Sequence, residues 1–165
     1  MRTITLASLS ALLLAAALAG PAAAAKPIKE PTPLDPSEIP AGVTCDFAVR
    51  IESVGKPKSI TFDRRDGALR VNTSGRIVST ITNVDTGASV TRDSSGPGRV
   101  SRNAAGHVVL RYGGATVFPL FDGDVTGRGL ILFKGGTEFE LGDDDFTVIR
   151  ADLPVNVEDL CQTLG

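Results

Sequence analysis

Cys45 to Glu52 reads CDFAVRIE, and its alternation decides the fold class. Cys45, Phe47, Val49 and Ile51 occupy every second position, with Asp46, Ala48, Arg50 and Glu52 between them. A period of two is that of a strand with one covered face. The same period runs outward along the chain. Ile60 and Phe62 follow, then Leu69 and Val71 around Arg70, then Ile77, Ser79 and Ile81 against Val78, Thr80 and Thr82. Further short strands are expected at Ser89–Thr91, Arg99–Ser101, His107–Tyr112, Ala115–Leu120, Gly129–Phe133, Thr137–Leu141 and Phe146–Ile149. Turn residues separate them: Asp66-Gly67, Ser74-Gly75, Thr86-Gly87, Gly96-Pro97-Gly98, Gly113-Gly114, Asp122-Gly123, Gly135-Gly136 and Gly142. Many short strands at this spacing make an all-β domain, an antiparallel β-barrel or β-sandwich. Leu130-Ile131-Leu132-Phe133 is apolar without alternation, so that strand is expected to be covered on both faces. One short C-terminal helix is expected, with Asn156 as its cap, Asp159 three residues on and Leu160 packing inward.

The 165 residues suffice for one domain with a core. Lys and Arg number 17 against 19 Asp and Glu, a balance that argues against a nucleic-acid binder. Two Cys and one His are too few for an ordinary four-ligand zinc site. With no Trp and one Tyr there is little from which to build an aromatic stacking platform. No cofactor is implied.

Residues 1–25 read as a secretory signal peptide. Arg2 is the positive start, Ile4 to Leu18 the apolar segment, Gly20-Pro21 the helix break and Ala22–Ala25 the small-residue cleavage region. The apolar run is short for a hydrocarbon core of roughly 30 Å. Cleavage after Ala25 removes Arg2 and leaves 16 basic and 19 acidic residues, a net −3. The expected location is therefore secreted, with no membrane span after cleavage. Residues 26–41, KPIKEPTPLDPSEIPA, carry prolines at 27, 31, 33, 36 and 40 and read as an extended linker, barred from helix and inner strand alike. Residues 42–165 form the single β domain.

Two cysteines in an exported chain are expected to pair, Cys45 with Cys161. The bond would close a loop of about 117 residues and, by chain entropy, stabilise by roughly 4–5 kcal/mol.

Thr82-Asn83-x-x-Thr86-Gly87, Ser95-Gly96-Pro97-Gly98 and Asp159-Leu160-Cys161 give the chain a layout that resembles a group of small secreted actinobacterial β proteins, to which no activity is attached. The resemblance implies a secreted β fold with a terminal disulfide and no particular chemistry.

Three stretches invite a chemical reading. Val84-Asp85-Thr86-Gly87-Ala88-Ser89 is similar to the D-T-G-A-S signature of homodimeric aspartic peptidases, in which Asp85 would be the general acid/base and Thr86 and Ser89 its orienting neighbours. The same letters suit a hairpin turn. Asp122-Gly123-Asp124-Val125-Thr126-Gly127 matches the start of a calcium loop, but its twelfth position is Phe133 where a bidentate Glu belongs. Asp143, Asp144 and Asp145 would complete such a site only if the fold brought them near. His107 lacks a nucleophile motif beside it and reads as a strand residue. Asn72-Thr73-Ser74 matches a glycosylation sequon, and Arg64-Arg65 and the other basic residues, interleaved with acids, read as solvated surface. The expected function is a non-catalytic binding or structural module of the cell envelope or extracellular space, with a small apolar ligand or an envelope component as partner. The alternative is the aspartic-type peptidase.

Overall fold

The computed structural model describes residues 26–63, 69–142 and 147–165. Residues 1–25, read above as a signal peptide, the Arg64-Arg65 and Asp66-Gly67 pairs, Asp143 to Asp145 and Phe146 lie outside these residues. In chain order the strands are β1 (Ile28–Pro31), β2 (Ser37–Ile39), β3 (Val49–Gly55), β4 (Lys58–Asp63), β5 (Leu69–Ser74), β6 (Ile77–Asn83) and β7 (Ser89–Asp93). They continue as β8 (Gly98–Arg102), β9 (Val108–Tyr112), β10 (Ala115–Leu120), β11 (Gly129–Lys134), β12 (Thr137–Leu141), β13 (Val148–Asp152) and β14 (Val157–Asp159), and the chain closes with helix α1 (Leu160–Leu164). They build three antiparallel sheets, with orders β1-β4-β5-β8-β9-β12-β13, β10-β11-β14 and β2-β3-β6-β7.

The alternation and its one exception explain the layering. On β11, Leu130 and Leu132 enter a core with Val49, Ile81, Leu160 and Leu164, whereas Ile131 and Phe133 enter another with Val108, Leu120, Phe139, Leu141 and Val148. The small sheet is therefore the middle layer, with the four-stranded sheet and α1 on one side and the seven-stranded sheet on the other. Each fully covered side chain of this size contributes roughly 1.5–3 kcal/mol through burial. The second core is aromatic: Phe118 stacks on Phe139 at 4.2 Å between centroids, and Tyr112 meets Phe133 at 5.7 Å. Burial raises the Tyr112 hydroxyl above its ordinary pKa.

The barrel alternative is not realised. The sheets stay open, because a middle layer gives each outer sheet a surface to pack on without closure. Two expectations near the C-terminus are also corrected. The last long strand is β13, which continues from Val148 to Asp152 beyond the expected end at Ile149, with a bulge opposite Glu140 and Leu141. The helix cap is Asp159, not Asn156: its carboxylate accepts from the Cys161 and Gln162 amides at 2.8 and 3.1 Å. Asn156 instead precedes β14, because Val157 to Asp159 are drawn into pairing with β11.

The disulfide joins Cys45 to Cys161, with Cα atoms 5.4 Å apart and a sequence separation of 116. It holds the approach to β3 against α1, inside the first core. The proline-rich stretch is extended, as its prolines require, yet it does not hang free. β1 lies along β4 and β2 along β3, each as an outermost strand, where a missing amide donor breaks no inner ladder. Among the described residues no helix is long and apolar enough to cross a membrane.

Candidate functional site

The Asp85 motif forms the β6–β7 hairpin. Asn83 Oδ1 accepts from the amides of Asp85 and Thr86 at 3.0 and 3.3 Å, and Gly87, at φ +76°, returns its amide to the Asn83 carbonyl at 2.8 Å. Asn83 is buried, and its Nδ2 donates to the Leu164 carbonyl at 3.1 Å, so the turn is anchored to α1. Asp85 itself, with Thr86 and Ser89, is exposed at the tip.

Asp122 and Asp124 have separate fates. Asp122 is exposed. Asp124 is buried, and its two oxygens accept from the amides of Phe121 and Val148, each at 2.7 Å. That carboxylate ties the β10–β11 connection to β13, work that backbone donors explain without a cation. Among the described residues no group of three acidic, His or Cys side chains is placed to hold a metal ion.

His107 stands just before β9, in a turn organised by Asn103, whose Oδ1 accepts from the amides of Ala105 and His107. Its Nδ1 lies 2.7 Å from Glu140 Oε1, which also accepts from Asn103 Nδ2 at 2.8 Å. The contact to His107, then that to Asn103, holds the Glu140 carboxyl below the usual range. This is the orienting half of a nucleophile-activating arrangement. Among the described residues no serine hydroxyl hydrogen-bonds the ring.

The residues brought together by the fold lie elsewhere, on the outer side of the seven-stranded sheet. Directly paired residues share a face, so the register can be followed strand to strand. One row runs Lys29, Ile60, Asn72, Arg99, Arg111, Glu138, Asp152. The adjoining rows add Lys58 beside Ser74, Phe62 beside Arg70, and Val109 beside Glu140. Val108, Leu110, Tyr112 and Phe139 point the other way, into the aromatic core.

This face is divided by charge. Over β1, β4, β5, β8 and β9 it carries Lys29, Lys58, Arg70, Arg99 and Arg111, and no described carboxylate on those strands shares the side. Over β12 and β13 it carries Glu138, Glu140, Arg150 and Asp152. The boundary is bridged: Glu138 accepts from Arg111 and, at 2.6 Å, from Arg150. The Arg111 hydrogen bond leads in holding the Glu138 carboxyl below its usual range. The basic half also contains a hollow of about 490 Å³, walled by Ile60, Asn72, Ser74, Arg99 and Arg111, with Pro97 and Gly113 at its end. On the same face, Arg70 Nε and, within the hollow, Asn72 Oδ1 are buried without hydrogen-bond partners among the described residues.

Comparison with protein-family models, with curated proteins and with solved structures finds no match to this chain. The face must be read from its own chemistry. Reading the basic residues as scattered surface missed it, since their charges cancel against acids along the sequence and segregate only when β5 pairs with β8. The available signal was the position of each cation within its strand's period of two.

Proposed function

We propose that the protein is a secreted, non-catalytic binding module of the cell envelope or extracellular space, and that its basic sheet face holds a phosphate- or carboxylate-bearing polymer. The observation that carries this reading is the set of five cations on one side of β1, β4, β5, β8 and β9, in a chain whose net charge is −2. One exposed cation attracts an anion weakly in water. Lys29, Arg99 and Arg111 stand in one row across the sheet, with Lys58 and Arg70 in the rows on either side, so a polyanion laid over this face meets several cations at once. The disulfide, the expected signal peptide and the motifs shared with small secreted actinobacterial proteins support a working place outside the cytosol.

The test is retention of the chain lacking residues 1–25 by immobilised polyphosphate and by polygalacturonate, at low and high salt. Retention at low salt that falls as salt screens the charges is expected. Arg99→Glu and Lys58→Glu should each weaken it several-fold, and Lys56→Glu, off this face, should not. Equal retention of all three variants, or none of the parent protein, overturns the reading.

A further inference from the structure

A second site sits between layers, on the opposite side of the molecule's middle from the basic face. The inward positions of the four-stranded sheet are apolar at one end, with Val49, Ile51 and Ile81, and turn polar at the other. There Ser53 of β3 faces Ser79 of β6, and their hydroxyls are 2.8 Å apart. Ser79 Oγ in turn lies 2.7 Å from Ser94 Oγ. Ser79 is only 3% exposed. Serine at such a position forgoes the burial that valine would supply, so the hydroxyls call for a reason.

The three hydroxyls border a cavity of about 200 Å³. Its remaining walls are Ile51 and Ile77 from the same sheet, Thr116 and Val117 from the middle layer, and Leu34. Leu34 comes from the proline-rich stretch between β1 and β2, which crosses from the edge of one outer sheet to the edge of the other.

The hydrogen-bond count favours a polar visitor. Three hydroxyls supply three protons, and their two mutual contacts use two. The third proton is left at one end of the chain, and reversing the chain moves it to the other end. The row therefore offers either a donor or an acceptor to whatever enters. Thr116 has its proton engaged by the Ala115 carbonyl at 2.8 Å and offers lone pairs. Among the described residues no charged side chain lines the cavity, so an ion would enter without compensation from them. At about 30 Å³ per water the space equals some six or seven waters, enough for one small organic molecule.

We propose that this cavity is a binding site for a small neutral molecule with one hydroxyl or carbonyl group on an apolar body. The polar group bonds the Ser53–Ser79–Ser94 row, the body packs on Ile51, Ile77 and Val117, and Leu34 covers it. The site is independent of the basic face.

Phenol, toluene and benzoate at neutral pH are suitable probes, followed by amide chemical shifts of the chain lacking residues 1–25. Saturable shifts with phenol are expected at Leu34, Ser53, Ser79 and Ser94. Toluene should bind about tenfold more weakly for want of one hydrogen bond, and benzoate should leave these amides unmoved. Leu34→Ala, in an exposed stretch that leaves the cores intact, should weaken phenol several-fold. Replacing Ser53, Ser79 and Ser94 together by Ala, which removes the whole row, should bring phenol down to toluene. The proposal is overturned if phenol shifts fail to saturate at these residues, if toluene matches phenol in the parent protein, or if benzoate binds there. It is equally overturned if Leu34→Ala binds phenol like the parent.

Discussion

Leu132 and Phe133 are joined by one peptide bond and lie in different hydrophobic cores, at 1% and 0% exposure. Leu132 packs towards the four-stranded sheet and the disulfide, Phe133 into the aromatic cluster facing the seven-stranded sheet. β11 is the element through which the two outer layers are coupled.

Truncation on either side of β11 should therefore weaken the whole module. Leu132→Ala is expected to cost about 2–5 kcal/mol and Phe133→Ala about 3–5 kcal/mol, from lost burial and the cavities left behind. Urea unfolding followed by two probes, the Tyr112 signal and far-ultraviolet dichroism, checks this. A single shared midpoint that falls in both variants is expected; separate midpoints would show that the layers unfold independently.

The clasp between Cys45 and Cys161 should matter on the same scale. Replacing both by Ser is expected to destabilise by about 2–5 kcal/mol, because the open chain regains the freedom of a very long loop. Reduction of the parent protein should lower its urea midpoint comparably, and reductant should not affect the double variant.

Asp124 and Asp122 should behave oppositely. Asp124→Ala leaves the buried amides of Phe121 and Val148 without an acceptor, at a cost of about 2–4 kcal/mol. Asp122→Ala, at an exposed turn, should stay within about 0.5 kcal/mol of the parent. Similarly Asn83→Ala should destabilise, because it frees the Leu164 carbonyl and two turn amides, whereas Asp85→Asn at the tip should not. Thermal melts compare all four variants.

Acid should loosen the contact between β7 and β14. Arg92 reaches Glu158 with two nitrogens, at 2.5 to 3.2 Å, and this hydrogen bonding holds the Glu158 carboxyl below the usual range. Glu138 and Glu140 are lowered likewise. In the unfolded chain these groups take protons near the ordinary value of about 4.3, before the folded ones do. Their contribution is thus complete above that pH and is lost as pH falls through the lower folded values. Urea midpoints should hold from pH 7 to 5 and drop below about 4.3. Glu158→Gln should start lower and fall less steeply; an unchanged slope would show that the pair does not couple the layers.

The three motifs that give the chain its layout can now be read letter by letter. In Asp159-Leu160-Cys161 the first residue caps α1, the second is fully buried in the first core and the third closes the disulfide. In Thr82–Gly87 the asparagine organises the turn. In Ser95–Gly98 a Cβ on Gly96 would stand 2.5 Å from Gly114 Cα, so the first glycine admits a close crossing of two backbones. These are local geometric needs, which is why they show in the letters.

Strand periodicity, turn positions, the doubly covered β11, the cysteine pairing and a short terminal helix were all legible in the chain, since each depends on neighbours a few residues apart or on there being only two thiols. The barrel-or-sandwich choice, the edge placement of the proline-rich stretch, the basic face and the hydroxyl-lined cavity were not. They depend on which strands become neighbours, and pairing such as β5 with β8 or β9 with β12 is set by packing against the middle layer. A period of two says that a side chain lies on one face or the other of its own strand; only the assembled sheets decide what shares that face.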